Sequence, residues 1–330
     1  MKVTLATNRD GGGGASQRVS GFLRRPEAPP VVFLTLLVLG LSLTTPGFLT
    51  TGNLQGILEQ AAVVGMVALA VNQVILSGEI DVSTGSLLAV CAFVYGNLAM
   101  QFGGVALPLA ASLGVGAVVG ALNGLLSTKG RVPSIITTLG ALFILRGIVL
   151  LLAASQVLNL EPASRVLGLG SVGGISLSIL LFGAVYLCFE LLNRHSSWGR
   201  HVFAVGGNPR AARTTGLAVD RIRFWTFVAV GLSCGLAAAV FLGQVGQLQA
   251  TAATGFELRV IAAVVVGGTS ILGGRGSTLA PVVGAVLLGV ILNALTLNNV
   301  PGTLEQLVTG ALILLAITFD AIRLRLIGGR

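Results

Sequence analysis

The chain has 330 residues, of which 54% are hydrophobic and only 9% are charged, and its mean hydropathy is +0.94. Soluble domains carry about 25% charged residues, so a chain of this composition cannot cover itself with a polar surface. Its surroundings are therefore lipid, in which only helices and closed barrels satisfy every backbone hydrogen bond. The net charge of +9 does not indicate a nucleic-acid partner, because the basic residues follow the pattern of a membrane topology.

Long continuous apolar runs predict helices, because the strands of a membrane barrel alternate in polarity over about ten residues. With about 17 to 25 apolar residues per span, the sequence predicts an all-α integral membrane protein of about ten transmembrane helices. Residues 1–28 are typical of a disordered cytoplasmic tail, and residues 29–330 form the transmembrane domain. The predicted spans lie near residues 30–45, 54–76, 85–102, 105–127, 134–154, 174–193, 223–244, 257–272, 278–297 and 303–322.

The positions of the Lys and Arg residues predict the orientation. Cytoplasmic segments carry the excess positive charge. With the N terminus inside, every Lys and Arg except Arg146, Arg165 and Arg259 falls in a cytoplasmic segment. An even number of helices with both termini cytoplasmic explains this pattern. The halves 29–173 and 174–330 then hold five helices each, and an odd number per half makes them antiparallel, as in an inverted repeat.

No residue pattern indicates an enzyme. The sequence lacks a GxxxxGK[ST] loop, an HExxH motif and a GxSxG motif, which are common signatures of nucleotide binding and hydrolysis. The three cysteines, Cys91, Cys188 and Cys234, lie inside apolar runs without metal or disulfide spacing. We therefore expect no catalytic residues, no metal site and no cofactor on this chain.

The longest predicted cytosolic loop, residues 193–223, contains a short helix signal. Asn208 suits the N-cap, Pro209 suits the first helical position, and Gly216 can end the helix in the left-handed conformation. A capped, basic helix outside the membrane is what a membrane subunit needs to press against a motor protein, although it could instead be a turn that only joins two spans. Its candidate coupling residues are Asn208, Pro209, Arg210, Ala211, Ala212, Arg213 and Gly216.

The segment GEIDVSTGS, residues 78–86, places two carboxylates between the second and third spans. A carboxylate at membrane depth costs about 2.5 to 3.5 kcal/mol, so it should face protein or water. The segment therefore predicts a broken helix at a translocation path. The alternative is a helix cap, in which Asp81 caps the third span at the cytosolic interface.

A second irregular segment, GGTSILGGRGS, separates the eighth and ninth spans. Backbone of this kind is tolerated at membrane depth where protein covers it or where it lines a cavity. It could also be a simple re-entrant turn. The residues in question are Gly267, Gly268, Thr269, Ser270, Gly273, Gly274, Arg275, Gly276 and Ser277.

Isolated polar residues recur inside the predicted spans, and most are expected to hydrogen-bond between helices rather than contact substrate. Arg146 is expected to be structural and to need a carboxylate or several carbonyls as partners. The candidates for a translocation path are Asn72, Gln73, Glu79, Asp81, Ser83, Ser86, Asn123 and Asn293.

With these segments the sequence resembles the permease subunits of bacterial ABC importers for monosaccharides, the family of the ribose, xylose, arabinose, rhamnose and autoinducer-2 permeases. The resemblance covers nearly the whole chain, through PGFLTTGN at residues 46–53, GEIDVSTGS, the run from Asn123 to Gly147, NPRAARTTGL and GGTSILGGRGS. The family usually reads GGIDLSVGS at the second motif, so Glu79, Val82 and Thr84 depart from its pattern.

The resemblance implies an importer in the bacterial inner membrane, in which residues 208–216 are the coupling helix that contacts the ATP-binding subunit. The implied partners are an ATP-binding cassette subunit that holds ATP and Mg, a periplasmic sugar-binding protein, and a second copy or relative of the permease. Glu79 and the GRVPSIITTLG run lean towards the rhamnose and autoinducer-2 branch.

Two other transport functions stay open. Branched-chain amino acid permeases share the coupling and glycine-rich segments but not the IDxSxGS motif. An ion-coupled secondary transporter would need titratable groups at mid-membrane, and the acidic candidates in the first half are Glu59, Glu79 and Asp81. An Ala212→Asp substitution is expected to leave the protein folded but to weaken cassette binding.

Overall fold

The computed structural model describes residues 27–153, 158–301 and a set of positions between 304 and 318. The described chain is a helical bundle with short strands at one end. The helices are α1 Ala28–Thr44, α2 Thr51–Leu76, α3 Thr84–Phe102, α4 Ala106–Thr128, α5 Ser134–Ala153, α6 Val166–Leu169, α7 Leu177–His195, α8 Ser197–Gly207, α9 Pro209–Thr214, α10 Val219–Val245, α11 Phe256–Val266 and α12 Ala280–Leu297. The strands are β1 Leu158–Asn159, β2 Ser171–Val172, β3 Ile175–Ser176 and β4 Gln247–Leu248.

Among the described helices, seven are long and apolar enough to cross a membrane, namely α2, α3, α4, α5, α7, α10 and α12. The chain is thus a multi-pass membrane protein, as its composition predicts. The apolar helix α1 also coincides with a predicted span but has only 17 residues. The predicted tail lies almost wholly outside the described residues, as does most of the last predicted span, whose described positions are helical.

One predicted span is wrong over part of its length. The helix predicted for residues 257–272 ends at Val266, because Gly267 and Gly268 follow it and Gly268 takes a φ of +110°. With 11 residues, α11 is about 16 Å long, which is about half the hydrocarbon thickness of a bilayer. The full number of spans, the side of the termini and the inverted repeat of the two halves stay predictions.

The centre of the bundle is formed by α2, α3 and α10. In the most apolar stretch of these helices 61%, 67% and 78% of the residues are buried, against 22% in α5 and 17% in α7. Their buried side chains belong to one core cluster that includes residues from both halves of the chain. Consequently α5 and α7 are peripheral, and most of their apolar side chains face outward.

Small residues bring α4 and α10 into close contact. Gly116, Gly120 and Gly124 recur at every fourth position, so they lie on one face of α4. A Cβ atom at Gly116 would overlap the carbonyl oxygen of Gly231 in α10. Here the backbones touch directly, which is the usual role of small residues between membrane helices.

The strands lie at the end of the bundle where α7 begins and α10 ends, which we call the rim. There β1 pairs antiparallel with β4, and Leu158 lies opposite Leu248. Arg165 donates from Nε to the carbonyl oxygen of Gly243 at 2.9 Å and from Nη2 to that of Gln244 at 3.0 Å. It therefore satisfies carbonyls that the last turn of a helix leaves unpaired.

The opposite end, which we call the basic end, holds α8, α9 and the start of α10. The sequence does not predict α8 as a separate helix. Its N-cap is Ser196, whose hydroxyl accepts from the backbone N–H of Trp198 at 3.1 Å, and it buries Val202 and Val205. The spacing of these two valines, with Arg200 and His201 beside them, is the signal that would have identified it.

Candidate functional site

The short helix predicted in the 193–223 loop is present as α9. Asn208 is its N-cap, and its side-chain Oδ1 accepts from the backbone N–H of Ala211 at 3.0 Å. Gly216 follows the helix with a φ of +85°. Arg210, Ala211 and Arg213 are exposed, so α9 presents a basic surface at the basic end of the bundle.

Ala212 faces the other way. It is 5% exposed and packs in a small apolar cluster with Leu76 at the end of α2, Val202 and Val205 of α8, and Val219 and Ile222 of α10. The expectation for Ala212→Asp is therefore wrong in its premise, because a carboxylate at this position would enter an apolar cluster and disturb the fold. Arg210 and Ala211 are the positions that test docking.

The chain between α2 and α3, residues 77–83, is not helical. The backbone N–H of Ile80 donates to Ser134 Oγ at 3.1 Å, and that of Val82 donates to Thr138 Oγ1 at 3.2 Å. These two hydroxyls of α5 therefore replace the missing helical partners of Ile80 and Val82, as a membrane interior requires.

This break begins at the exposed Gly78 and enters the bundle, where Asp81 and residues 83–86 are buried. The carbonyl oxygen of Thr84 lies 3.8 Å from Sγ of Cys234, a residue near the middle of α10. A Cβ atom on Gly85 would come within 2.9 Å of the carbonyl oxygen of Ala253. The first turn of α3 thus lies inside the bundle, at a distance from the basic end, which fits the predicted broken helix.

Asp81 does not cap α3 as the alternative interpretation requires. Its Oδ1 accepts from the backbone N–H and from the hydroxyl of Ser83, at 2.8 Å and 2.7 Å, and Ser83 precedes the helix. Asp81 is 1% exposed, and Asn123 donates to Ser83 Oγ at 3.0 Å. These side chains lock the turn that leads into α3.

Two further path candidates form hydrogen bonds between distant parts of the chain. Asn72 donates from Nδ2 to the carbonyl oxygen of Ser277 at 3.1 Å and accepts from the hydroxyl of Thr269 at 2.7 Å. Asn293 and Asn53 donate to each other, far from residues 77–83.

Both amide atoms of Gln73 and the hydroxyl of Ser86 are buried without a hydrogen-bond partner in the described structure. The Oδ2 atom of Asp81 is buried without a partner as well, so Gln73, Asp81 and Ser86 remain candidates for polar contacts in another state.

The glycine-rich segment packs against both other motifs. The backbone N–H of Gly274 donates to the carbonyl oxygen of Leu76 at 3.0 Å. A Cβ atom on Gly273 would lie 2.9 Å from Cα of Gly78, and one on Gly274 would lie 2.6 Å from Cα of Gly207. Three segments that are distant in sequence therefore meet through their backbones at a single junction, formed by residues 76–79, 206–207 and 273–274.

The end of α8 also needs glycine at this junction. A Cβ atom on Gly206 would overlap the carbonyl oxygen of Leu76 and would lie 2.7 Å from the nitrogen of Gly274. Arg223, in the second turn of α10, forms an ion pair with Glu79 and donates from Nε to the carbonyl oxygen of Ser77 at 3.3 Å. The sequence marks Glu79 as a path candidate but gives no sign of this partner.

A cavity of about 260 Å³ lies towards the rim, between α2, α10, α11 and α12. Its walls are mostly apolar, and its polar side chains are Gln60, Gln244 and Arg259. Its volume is near the lower end for small-molecule sites. None of the path candidates predicted from the sequence lines it, because these rim residues are far apart in sequence and have no common motif.

Arg146 finds a carbonyl partner. It donates from Nη1 to the carbonyl oxygen of Ala252 at 2.8 Å, in the turn that leads to α11. This contact fits the structural role expected from the sequence, and it holds the start of α11 against α5.

Comparison with known proteins identifies relatives over most of the chain. The family described as branched-chain amino acid transport system / permease component matches residues 53–317. The ribose import permease protein RbsC of Escherichia coli K12 is 33% identical, over 89% of this chain and 93% of its own length. The L-arabinose ABC transporter permease protein AraH of Azospirillum brasilense is 35% identical, over 89% and 86%.

The fructose import permease protein FrcC of Rhizobium meliloti is 32% identical, over 92% of this chain and 88% of its own length. No solved structure matches the chain. The buried helices, the interior break and the capped helix α9 occur in the segments on which the resemblance to sugar permeases rests. The chain therefore belongs to the family of ABC import permeases that includes these ribose, arabinose and fructose permeases.

Proposed function

We propose that this chain is the membrane-spanning subunit of an importer that moves a monosaccharide from the periplasm to the cytoplasm. A separate ATP-binding cassette subunit binds ATP and Mg and docks on α9. The observation that carries this proposal is the placement of α9, which exposes Arg210 and Ala211 while Ala212 packs against the end of α2. A force on α9 thus reaches a central helix directly.

The route for the sugar is proposed to join the rim cavity to the interior break at residues 77–83. Gln60, Gln244 and Arg259 offer donors for sugar hydroxyls at the rim cavity, and the unpartnered amide of Gln73 and hydroxyl of Ser86 lie deeper. A periplasmic sugar-binding protein would deliver the substrate at the rim, and a second permease copy would complete the transporter. Both termini lie in the cytoplasm in this arrangement.

Uptake by a strain that lacks this chain identifies the substrate class. The panel contains labelled ribose, arabinose, fructose and rhamnose, with leucine included because the matched family is described by branched-chain amino acid transport. Loss of uptake of one sugar, restored by the intact gene, supports the proposal. Loss of leucine uptake with normal sugar uptake would replace it by the amino acid alternative.

The energy source separates an ABC importer from an ion-coupled carrier. Uptake is expected to continue in the presence of an ionophore while ATP is kept high, and to stop when ATP is depleted.

Arg210→Glu is expected to reduce binding of the purified cassette by about tenfold, since electrostatic complementarity at an interface is lost. Arg194→Glu is the control, because Arg194 is 74% exposed and belongs to the last turn of α7 and not to α9. Gradient-driven uptake by the purified chain alone would refute the proposal.

A further inference from the structure

The ion pair between Glu79 and Arg223 lies at the place where the basic end meets the interior break. The side chains of Arg223 and Glu79 are only 19% and 15% exposed. Since Arg223 also donates to the carbonyl oxygen of Ser77, one guanidinium holds two residues of the 77–83 segment. This segment is the start of the broken helix, so the contact fixes where the break begins.

Arg223 is itself tied to α9. It lies in the second turn of α10, and Arg213 of α9 pairs with Asp220 in the first turn of α10 at 2.7 Å. Ala212 of α9 and Ile222 of α10 share the apolar cluster that includes Leu76. A displacement of α9 therefore moves the first turns of α10, and with them the guanidinium of Arg223.

The surroundings make this ion pair different from the others in the described structure. Arg213 and Asp220 are 59% and 57% exposed, and Arg194 is 74% exposed beside Glu190. Exposed pairs contribute little, because water screens them and long side chains lose entropy. Breaking a pair that is largely withdrawn from water leaves an uncompensated charge, which is costly. Glu79 and Arg223 therefore stay together when the 77–83 segment and α10 move.

We propose that Glu79 and Arg223 are positioning residues that transmit the movement of α9 to residues 77–83, so that ATP hydrolysis on the cassette subunit opens the interior break. This inference rests on the proposed function. The close glycine contacts at residues 206–207 and 273–274 restrict the direction in which α9 can move, and the ion pair transmits this movement to residues 77–83.

The test uses the complete transporter in proteoliposomes, with sugar uptake and ATP hydrolysis measured on the same sample. Glu79→Gln and Arg223→Gln are each expected to raise the ATP hydrolysed per sugar transported by about fivefold or more, the lower end for coupled sites. Cassette binding should be retained, because α9 is unchanged in both variants. Glu190→Gln removes the carboxylate of a pair on α7 that is more exposed than Glu79 and Arg223, and it should leave the ratio unchanged.

The double variant Glu79→Gln/Arg223→Gln separates a pair from two independent residues. Residues that act through one contact give a double variant no worse than the single ones, whereas independent effects multiply. Multiplied effects, or a normal ratio in Glu79→Gln, would overturn the inference. If the wild-type complex transports no sugar at all, the proposed function fails instead.

A measurement on the wild type covers the case in which the variants do not fold. Hydrogen exchange of the backbone N–H groups of residues 79–83 is compared in the assembled transporter before and after ATP is added. The inference expects at least about a fivefold change in exchange rate, because movement of Arg223 displaces this segment. Unchanged exchange in a complex that is transporting sugar would overturn the inference.

Discussion

Gly206 has no room for a side chain, because α8 ends against the last carbonyl of α2. A methyl group there would overlap the carbonyl oxygen of Leu76. A backbone atom cannot relieve this overlap by a change of rotamer, as a flexible side chain can. Gly206→Ala is expected to lower the stability of the folded protein by about 1 to 3 kcal/mol, seen as a lower melting temperature in detergent. Gly207→Ala is the matched control, since nothing lies within 4 Å of a Cβ atom there. Equal melting temperatures of the two variants would contradict the close contact between Gly206 and Leu76.

Asn72 holds the glycine-rich segment through two hydrogen bonds. Asn72→Ala would leave the buried hydroxyl of Thr269 without this acceptor and the carbonyl of Ser277 without this donor, at a cost of about 1 to 3 kcal/mol. Asn97→Ala is a fair comparison, because Asn97 accepts from the exposed side chain of Gln101 one turn away in the same helix. Thermal melting of both variants checks the expectation, and a stable Asn72→Ala protein would refute it.

At the residue scale, the sequence predicts which polar groups are unusual but not what they touch. Asn72 is identified as a polar residue in an apolar span, while Thr269 is 197 positions away. Likewise, Glu79 departs from the family pattern, but its partner Arg223 lies in another helix. Pairing over such distances is decided by how the helices pack, and a single sequence carries no record of that.

The contact between α4 and α10 shows why the glycines of this chain are placed as they are. Gly116→Ala is expected to separate the two helices and to lower the melting temperature, because the new methyl group would overlap the carbonyl oxygen of Gly231. Gly114→Ala in the same helix meets no atom within 4 Å, and its higher helix propensity should keep or slightly raise stability. If both substitutions have the same effect, helix propensity rather than packing is responsible.

At the element scale, hydropathy predicts the long helices closely, because lipid forces each span to satisfy its own backbone and to remain apolar. The predicted spans 85–102 and 134–154 differ from α3 and α5 by a single residue. Prediction fails where this constraint is relaxed. Helix α8 is amphipathic and lies at the basic end, and α11 stops early because protein, not lipid, surrounds the glycines that follow it.

The whole molecule has two distinguishable ends, so its orientation in the membrane can be tested. In a variant that lacks Cys91, Cys188 and Cys234, a single cysteine is placed at Val172 in the rim hairpin or at Arg200 in α8, both exposed. A membrane-impermeant thiol reagent applied to intact cells is expected to label position 172 and not position 200, following the positive-inside rule. Labelling of both positions after the cells are opened is the control, and the reverse pattern would invert the topology.

The two ends also differ in what joins them, and this difference sets where the bundle can bend. At the rim, β1 and β4 pair and so connect distant parts of the chain, and Arg165 donates hydrogen bonds to the last turn of α10. At the basic end, glycine backbones meet with few side chains between them. We therefore expect the bundle to pivot near the strands of the rim and to open at the basic end.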